Sequence, residues 1–421
     1  MGRLKFLFVI VCVVLTPSSF LLCAETKYSV ERFGRGEGLS NLSVHCITQD
    51  RDGFLWVGTS HGLDRFDGIR FRNYTPPRVG RAERTDGYRV TSLLEADSGN
   101  KLWVGTSTGL LMFDTTTEQF EILPDKRLSD LQPVTQICSD GGGNVWVVSA
   151  TALIRIAAKD GKVNFYPEMK SSCVIETNSG VVWTAGFDGC LHRYNPANDS
   201  FSSIDVLDSD DRARQAFIVG LVESEDGDLL VALNNSGLKS YSLLTGDVKR
   251  LICAPGGSRD GIGEVGIIHS MVKGYASEIW LGTENGIELY SVNKGGDGAV
   301  CLNSFRRNYV DDNSLSDNAV HSLFVTQEGD CWSGTFFGGL NHVYPENGRM
   351  EKHYPCDTEG RVVSNVIREI HPDRNGLLWV GAENGGVAVF DMRQKTFVEV
   401  DLRIGDKAIA DNVQSLLVDG D

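Results

Sequence analysis

Residues 52–67 read DGFLWVGTSHGLDRFD, and variants of this word return along the whole chain of 421 residues. Residues 99–114 read GNKLWVGTSTGLLMFD, and residues 375–391 read NGLLWVGAENGGVAVFD. There are eight copies, spaced 37 to 52 residues apart. Every tryptophan of the chain holds the same position of the repeat, and the fifth copy has Leu230 there; the tryptophans are Trp56, Trp103, Trp146, Trp183, Trp280, Trp332 and Trp379. Self-similarity at this period indicates a repeat architecture.

The internal order of one unit predicts four short strands. In the first unit an apolar segment at 44–47 is followed by an Asp/Gly turn at 50–53 and a second run at 55–59. Two further runs, at 63–66 and 71–74, close the unit. The connections are too short for parallel crossovers, so the strands must be antiparallel. Four such strands in a unit of this length are one blade of a β-propeller, in which the tryptophan ring would be buried between adjacent blades.

The repeat words resemble a known family, the two-component regulator propeller. The resemblance rests on GEGLSNLSVHCITQDRDG at 36–53 followed by LWVGTSHGLDRFDG at 55–68, and on GTFFGGLN at 334–341. It extends over 28–421, although Val148, Ala185 and Ala232 replace the glycine of the word in copies three to five. It implies the periplasmic sensor region of a hybrid two-component histidine kinase from a glycan-degrading Gram-negative bacterium.

The repeat count suggests three segments. We expect a signal peptide at 1–24, a first all-β propeller of about seven four-stranded antiparallel blades at 25–355, and the eighth repeat with the first strand of a ninth, truncated second propeller at 356–421. Tyr28–Phe33 has the pattern of a fourth strand with no blade before it, so it could complete a later blade and close the ring. A single eight-bladed ring is the alternative, and the family resemblance favours seven blades.

The last residues, DNVQSLLVDGD at 411–421, match the opening strand and turn of another unit. Members of the family typically continue through a second propeller, a β-sandwich, a transmembrane helix, a kinase and response-regulator parts. We therefore expect the chain to be a fragment, a truncated gene product or a shortened record. Kinase activity is expected only in a C-terminal part beyond Asp421.

The N-terminus has the pattern of an export signal. Arg3 and Lys5 precede the apolar segment 6–15, and Ala24 offers a cleavage point. This predicts a periplasmic protein; an uncleaved membrane anchor and a lipoprotein attached through Cys23 are alternatives. The eight cysteines that follow are at least 17 residues apart, so no CxxC motif exists. They are predicted to be small buried hydrophobes rather than a disulfide framework, and their pairing stays open.

Charge and motif content argue against several classes of function. The net charge is −16, which disfavours sequence-independent binding to nucleic acid and to anionic lipid. The histidines form no HxH or HxxxH pair, and the acidic run 208–211 is predicted to be a solvated loop rather than a calcium site. Arg51 occupies the aspartate position of a sialidase-type box, and no GxSxG or Walker motif occurs. We predict no catalytic residue, no metal and no cofactor.

Residues that depart from the repeat are the candidates for ligand contact, because loops on a rigid scaffold carry recognition. Phe336 and Phe337 stand where most copies have polar residues, and either could stack on a sugar ring or fill a blade interface. Arg306 and Arg307 could meet an anionic saccharide or lie on a solvated strand edge. A basic run through the 78–89 loop, Arg78, Arg81, Arg84 and Arg89, could dock an anionic ligand or partner.

Three functions compete at this stage. The favoured one is an extracytoplasmic sensing propeller of a hybrid two-component receptor, which recognises an oligosaccharide and has no catalysis on this chain. Its partners would be that oligosaccharide and the missing C-terminal sensor and kinase domains, with a homodimer left open. The alternatives are a secreted scaffold or adhesion propeller and, less favoured, a glycan-acting enzyme.

Overall fold

A computed structural model describes residues 27–77, 89–96, 99–129, 131, 133–253, 263–295, 298–346, 353, 366–383, 386–394, 396–398, 403–404, 407–408, 413 and 415–416. The predicted signal peptide, Arg78, Arg81, Arg84 and Cys356 lie outside the described residues. The chain separates into two compact units, Met1–Glu346 and Asn347–Asp421. The architecture is all-β, as the repeat predicts.

The first unit opens with β1 (Tyr28–Phe33) and a 3-10 turn at Arg35–Glu37, and it then contains seven sheets, named here blades 1 to 7. Blade 1 contains β2 (Val44–Gln49), β3 (Leu55–Thr59), β4 (Gly62–Phe66) and β5 (Phe71–Tyr74). Blade 2 contains β6 (Val90–Glu95), β7 (Lys101–Thr106), β8 (Leu110–Asp114) and β9 (Gln119–Ile122), and helix α1 (Lys126–Ser129) follows it. Blade 3 contains β10 (Val134–Ser139), β11 (Val145–Ser149), β12 (Leu153–Ile156) and β13 (Val163–Tyr166).

Blade 4 contains β14 (Ser171–Glu176), β15 (Val182–Gly186), β16 (Cys190–Asn195) and β17 (Ser200–Asp205), and helix α2 (Ser209–Ala213) follows it. Blade 5 contains β18 (Ile218–Glu223), β19 (Leu229–Leu233), β20 (Gly237–Tyr241), β21 (Val248–Cys253) and the two-residue β22 (Gly263–Glu264). Blade 6 contains β23 (Ile268–Lys273), β24 (Glu278–Thr283), β25 (Gly286–Val292) and β26 (Ala299–Phe305). Blade 7 contains β27 (Val320–Val325), β28 (Cys331–Thr335), β29 (Leu340–Pro345) and, as its fourth strand, β1.

The ring closes through the strand that stands alone at its start. β1 pairs antiparallel with β29, from Tyr28 opposite Pro345 to Phe33 opposite Leu340. The innermost strands contact one another in cyclic order, and β27 of blade 7 contacts β2 of blade 1. At this junction Gly334 packs so closely that an added Cβ would lie 2.4 Å from Cγ1 of Val44. Seven sheets therefore form one closed ring, in agreement with the role expected for 28–33.

The core lies between blades. Trp56 of blade 1 is buried in one cluster with Val90 and Phe113 of blade 2. Trp146 of blade 3 is likewise buried with residues of blade 4, and Trp280 of blade 6 with residues of blade 7. The predicted burial of the tryptophan side chain between adjacent blades is confirmed for Trp56, Trp146 and Trp280. An indole side chain buried between two sheets removes more apolar surface from water than an aliphatic side chain does, and so stabilises their packing more.

Each innermost strand has a β-bulge at its second residue. In blade 1, Val44 pairs with Thr59 and Cys46 pairs with Gly58, so His45 is the additional residue. The same irregularity recurs in every blade, and the bulged residues are His45, Thr91, Thr135, Ser172, Val219, His269 and His321. A bulge redirects the side chain that it carries. Seven equivalent side chains are thereby set at one end of the ring, where the innermost strands begin.

The second unit contains one further blade-like sheet. Its strands are β30 (Ile367–Pro372), β31 (Leu377–Ala382), β32 (Gly386–Asp391) and β33 (Thr396–Val398), followed by the short pair β34 (Arg403–Ile404) and β35 (Lys407–Ala408). Val413 lies over Gly381 as Val90 lies over Gly58, which is the arrangement of a following innermost strand. The proposed division at 355/356 and the ninth unit stay predictions. Neither of the two helices among the described residues is long and apolar enough to cross a membrane.

Candidate functional site

Three consecutive blades carry a histidine at the bulge. They are His269 in blade 6, His321 in blade 7 and His45 in blade 1. Each faces the residue that directly follows the second strand of its own blade, fifteen positions later in the chain. His269 Nε2 lies 2.7 Å from Glu284 Oε2, and His45 Nε2 lies 2.8 Å from Ser60 Oγ.

In blade 7 the residue after the second strand is Phe336, and its ring centroid is 5.1 Å from that of His321. We call the six side chains of these three pairs the histidine face. The backbone below them is fixed by hydrogen bonds: Glu284 N–H donates to Ile267 O at 3.0 Å, and Phe336 N–H donates to Ala319 O at 3.0 Å. The positions of these side chains therefore depend on the sheet and not on a free loop.

Other blades use the bulge for structural bonds. Thr91 Oγ1 donates to Val134 O of the next blade at 2.5 Å, and Ser172 Oγ donates to Ile218 O of the next blade. A small hydroxyl side chain thus suffices to join neighbouring blades at this position. The three histidines are larger and half-exposed, so the bulge itself does not require them. Their presence on adjacent blades points to a function other than ring assembly.

The histidine rings interact with one another. His269 and His321 are stacked, with centroids 4.3 Å apart and planes 16° apart. Burial and the neighbouring His269 lower the pKa of His321, against the opposing effect of Glu284 and Asp317. Burial, followed by Arg89 and His321, lowers the pKa of His45 to about 4. His45 is therefore neutral at physiological pH, and its imidazole can either donate or accept a hydrogen bond.

Phe336 and Phe337 lie beside this cluster. Their exposed fractions are 39% and 70%, and their ring centroids are 4.4 Å apart in an edge-on arrangement. Phe337 N–H donates to Asp317 Oδ2 at 3.1 Å. Both rings thus contact solvent rather than fill a blade interface, and Phe336 also packs on His321.

The two arginine candidates have different environments. Arg306 pairs with Glu288 Oε1 at 2.6 Å and donates to Asn285 O, so its guanidinium is engaged within blade 6. Arg307 has its guanidinium 4.4 Å from the ring centroid of Tyr309, a side chain that is 84% exposed. Of the two, Arg307 is the one free to present a cation–aromatic pair to solvent.

Adjacent residues tie these candidates to one another. Arg307 N–H donates to Asn318 Oδ1 at 2.7 Å, while Asp317 accepts the bond from Phe337 N–H. Asn318 O also accepts a hydrogen bond from Gly286 N–H at 2.7 Å, directly after Glu284 and Asn285. The structure therefore brings the Arg307 loop, the Phe337 turn and the blade 6 turn together at Asp317 and Asn318, shortly before blade 7.

Sequence reasoning missed the histidines and Tyr309. His45 and His321 follow a valine and His269 follows an isoleucine at equivalent repeat positions, in VHCI, VHSL and IHSM. An alignment of the first strands would have shown three histidines at one position. A search for short-range HxH or HxxxH spacing could not show this, because neighbouring blades are separated by a whole repeat.

The acidic run at 208–211 is not a solvated loop, and that prediction is wrong. Asp208 is the N-cap of α2 and accepts hydrogen bonds from Asp210 N–H and Asp211 N–H. Asp211 is completely buried, where it pairs with Lys239 and with Arg250, the latter at 2.6 Å. Two basic side chains from blade 5 neutralise the carboxylates of Asp208 and Asp211. Asp211 is therefore part of the core, whereas Ser209 and Asp210 are exposed.

The cysteines among the described residues are all free of disulfides: Cys46, Cys138, Cys173, Cys190, Cys253, Cys301 and Cys331. Six of them are buried or half-buried, whereas Cys301 is exposed. Burial raises the pKa of the Cys173 thiol to about 12 and also raises the pKa of Cys46 and Cys331. These thiols stay protonated and behave as small apolar groups, as the sequence predicted.

A concave region between blades 3 and 4 is another possible site. Its lining includes Asp140, Arg155, Glu176 and Tyr194. These polar groups already serve the fold: Asp140 holds the indole of Trp146, and Glu176 Oε2 accepts Gly141 N–H at 2.7 Å. Arg155 donates to the Tyr194 hydroxyl. The histidine face, with its exposed aromatic neighbours, is therefore the stronger candidate site.

Comparison with known proteins agrees with the sequence resemblance. Residues 38–61 match the family model of the two component regulator propeller. A segment of 54 residues is 43% identical to Histidine kinase P4 of Formosa agariphila, and it covers 13% of this chain and 4% of that protein.

Solved structures show the same fold. The extracellular domains of two putative hybrid two component systems from B. thetaiotaomicron superpose with TM-scores of 0.62 and 0.61, at 18% and 22% identity. The matches cover 90% and 89% of this chain but 48% and 49% of those chains, so this chain spans about half the length of these structures. A streptogramin B lyase has a TM-score of 0.55 at 15% identity, over 76% of this chain and 98% of that chain. The match at 38–61 and the recurrence of related words in the other blades are what this chain shares with the two-component regulator propeller family.

Proposed function

We propose that this propeller is the extracytoplasmic ligand-sensing part of a hybrid two-component receptor and that it recognises an oligosaccharide without catalysis of its own. The observation that carries the proposal is the exposed Phe337 beside the histidine face of a closed ring. A ring of interlocked blades is a rigid support, and recognition residues are typically presented on such supports by turns.

The chemistry of this end of the ring suits a sugar. An aromatic ring offers an apolar face to the C–H side of a pyranose, and Phe337 and Tyr309 are both exposed. Hydroxyl groups need directional partners, which His45, His269 and Glu284 can supply. A mostly apolar surface with a few placed polar groups is the usual composition of a small-molecule site.

The relatives support a proposal about the rest of the receptor. Histidine kinase P4 and the two putative hybrid systems are signalling proteins by name, and each is much longer than the part that this chain matches. We therefore propose that this propeller acts together with further sensor and kinase domains, and that it is exported to the periplasm. Dimerisation would belong to that larger assembly.

The test is calorimetric titration of the mature chain, from residue 25, with a panel of plant and host oligosaccharides. Phe337→Ala and Arg307→Ala are the probes. Leu244→Ala is the matched control, because Leu244 is 93% exposed in the turn between β20 and β21, at the other end of the strands. We expect one-site binding that weakens at least about tenfold in Phe337→Ala, the loss of one stacking contact, and is unchanged in Leu244→Ala.

Two results would contradict the proposal. Binding that is equally tight in both probe variants would remove the aromatic end of the ring as the site and favour the scaffold or adhesion alternative. Hydrolysis or elimination of any panel member would overturn the statement that the chain has no catalysis. Each sample is therefore also checked for reducing ends and unsaturated products after prolonged incubation.

A further inference from the structure

We propose that His269, Glu284 and His321 form a binding site for a divalent transition-metal ion such as Zn²⁺. The site joins blades 6 and 7, and it goes beyond the sensing function because it requires no sugar. One ligand atom from each side chain lies within 4.8 Å of the others. In the part of the chain that the structure describes, this is the one group of three such donors.

Metal binding at this site requires rearrangement of the side chains. Zinc binds imidazole nitrogen and carboxylate oxygen at about 2.0–2.2 Å, so donors of a tetrahedral site stand roughly 3.3–3.5 Å apart. The hydrogen bond between His269 Nε2 and Glu284 Oε2, at 2.7 Å, would have to lengthen, while His321 would have to approach. The stack of His269 on His321 would also have to open, because a bound metal lies in the plane of each imidazole and the two rings are 16° from parallel. Rotation of the Glu284 and His269 side chains can achieve these changes, because they are 57% and 26% exposed.

The backbone that carries the donors is rigid. His269 and His321 are both bulge residues on innermost strands of neighbouring blades. Glu284 N–H donates a hydrogen bond to the carbonyl oxygen of Ile267, the residue directly before β23, which carries His269. Phe336 packs against the ring of His321. A metal site needs supports of this kind, because orientation of the first ligands depends on the groups around them.

The donor set selects the class of ion. Two imidazoles and one carboxylate are borderline ligands that suit Zn²⁺, Ni²⁺, Co²⁺ and Cu²⁺. Ca²⁺ and Mg²⁺ prefer oxygen ligands throughout, and they are expected to bind weakly or not at all. Three protein ligands leave at least one coordination position for water or another small ligand.

Other histidine–carboxylate pairs supply the control. His192 Nε2 lies 3.0 Å from Asp188 Oδ2, and His342 Nε2 lies 3.0 Å from Asp330 Oδ2. Each is a pair of donors and not a group of three among the described residues. Removal of Asp188 therefore tests whether any histidine beside a carboxylate binds the ion.

The experiment is Zn²⁺ titration of the mature chain by calorimetry, in a background with Cys301→Ser and Cys356→Ser because thiols also bind zinc. We expect one equivalent of Zn²⁺ to bind. His321→Ala and Glu284→Gln should each weaken binding by at least about tenfold, since even loss of a supporting residue has that effect. Asp188→Asn should bind as the parent does. Co²⁺ in place of Zn²⁺ should give the visible absorption of a tetrahedral complex in the parent and in Asp188→Asn, and not in His321→Ala or Glu284→Gln.

Melting temperatures of the apo forms are measured first, to confirm that each variant is folded. Zn²⁺ should raise the melting temperature of the parent and of Asp188→Asn, because an ion that binds only the folded state stabilises it. The proposal is overturned if the parent binds no Zn²⁺, or if His321→Ala and Glu284→Gln retain the affinity of the parent. The Zn²⁺ titrations contain no sugar, and the sugar titrations of the proposed function contain a chelator. Failure of the metal-site proposal therefore does not affect the sugar-binding proposal, nor the reverse.

Discussion

Trp146 donates its indole N–H to Oδ2 of Asp140, six residues earlier in the chain, at 2.8 Å. The other oxygen of the same carboxylate accepts a hydrogen bond from Asn144 N–H at 2.9 Å. Asp140 therefore stabilises the turn and also fixes the indole of Trp146, which is buried against the next blade. Blade 1 repeats the arrangement with Trp56 and Asp50 at 2.6 Å. The aspartate before the turn is therefore part of the blade interface and not only a turn residue.

Asp50→Ala is expected to lower the free energy of unfolding by about 1–3 kcal/mol. The indole N–H of the fully buried Trp56 loses its acceptor, and an unsatisfied buried donor has roughly that cost. Asp52→Ala, in the exposed part of the same turn, is the control and should change the value by less than about 0.5 kcal/mol. Urea denaturation followed by tryptophan fluorescence measures both. Equal effects of the two substitutions would show that the Asp–Trp bond does not contribute.

Trp146→Ala should cost about 3–5 kcal/mol, as truncation of a buried aromatic side chain does. The repeat alone predicts a similar cost at Trp103, but Trp103 is only half-buried, so we expect a smaller loss there. Denaturation curves of the two variants test the order. A larger loss in Trp103→Ala than in Trp146→Ala would mean that burial of the ring does not determine its contribution.

Lys239→Met is expected to destabilise the protein by about 3–5 kcal/mol, because it leaves part of the charge of the completely buried Asp211 uncompensated. Adding Asp211→Asn to Lys239→Met should recover part of this loss, although Arg250 then lacks its own partner. A double-mutant cycle from thermal denaturation measures the coupling. Strict additivity of the two changes would contradict a direct Lys239–Asp211 interaction.

His342 should make the protein less stable in mild acid. Burial lowers the pKa of His342 below its ordinary value of about 6.5, although Asp330 and Glu31 oppose the shift. Between the pKa of His342 in the folded protein and about 6.5, its value in the unfolded chain, the unfolded chain binds more protons than the folded protein. The stability that His342 contributes above about pH 6.5 is therefore lost as the pH falls from about 6.5 to the folded-state pKa.

His342→Phe retains the ring that stacks on Trp332, at 4.1 Å in the native protein, but has no titrating group. We expect its free energy of unfolding to decrease less than that of the parent between about pH 7.5 and 5.5. The comparison uses urea denaturation at several pH values. A steeper decrease in the variant would mean that the folded state raises the pKa of His342, contrary to the direction stated here.

Local sequence accounts for the blade. Alternating apolar residues, Asp/Gly turns and one tryptophan per unit are short-range features, and a four-stranded antiparallel sheet uses only neighbouring segments. The glycine of the word contacts its own blade and the next one: at Gly58 an added Cβ would lie 2.3 Å from Sγ of Cys46 and 2.7 Å from Cγ1 of Val90. The exposure of Phe337 was open at that stage, because aromatic rings also fill interfaces.

The features that tertiary structure added are contacts between distant parts of the chain. β1 pairs with β29 across more than 300 residues; the sequence pattern indicates that 28–33 could close the ring, and the structure decides which blade it joins. Asp211 is buried because blade 5 places Lys239 and Arg250 against it, although its local sequence is that of an exposed acidic loop. His269 and His321 stand 52 residues apart in sequence and 4.3 Å apart between ring centroids. Repetition determines which residues occupy equivalent positions, whereas the curvature of the ring determines which of those positions meet; the histidine site exists because packed neighbouring blades place two equivalent bulges side by side.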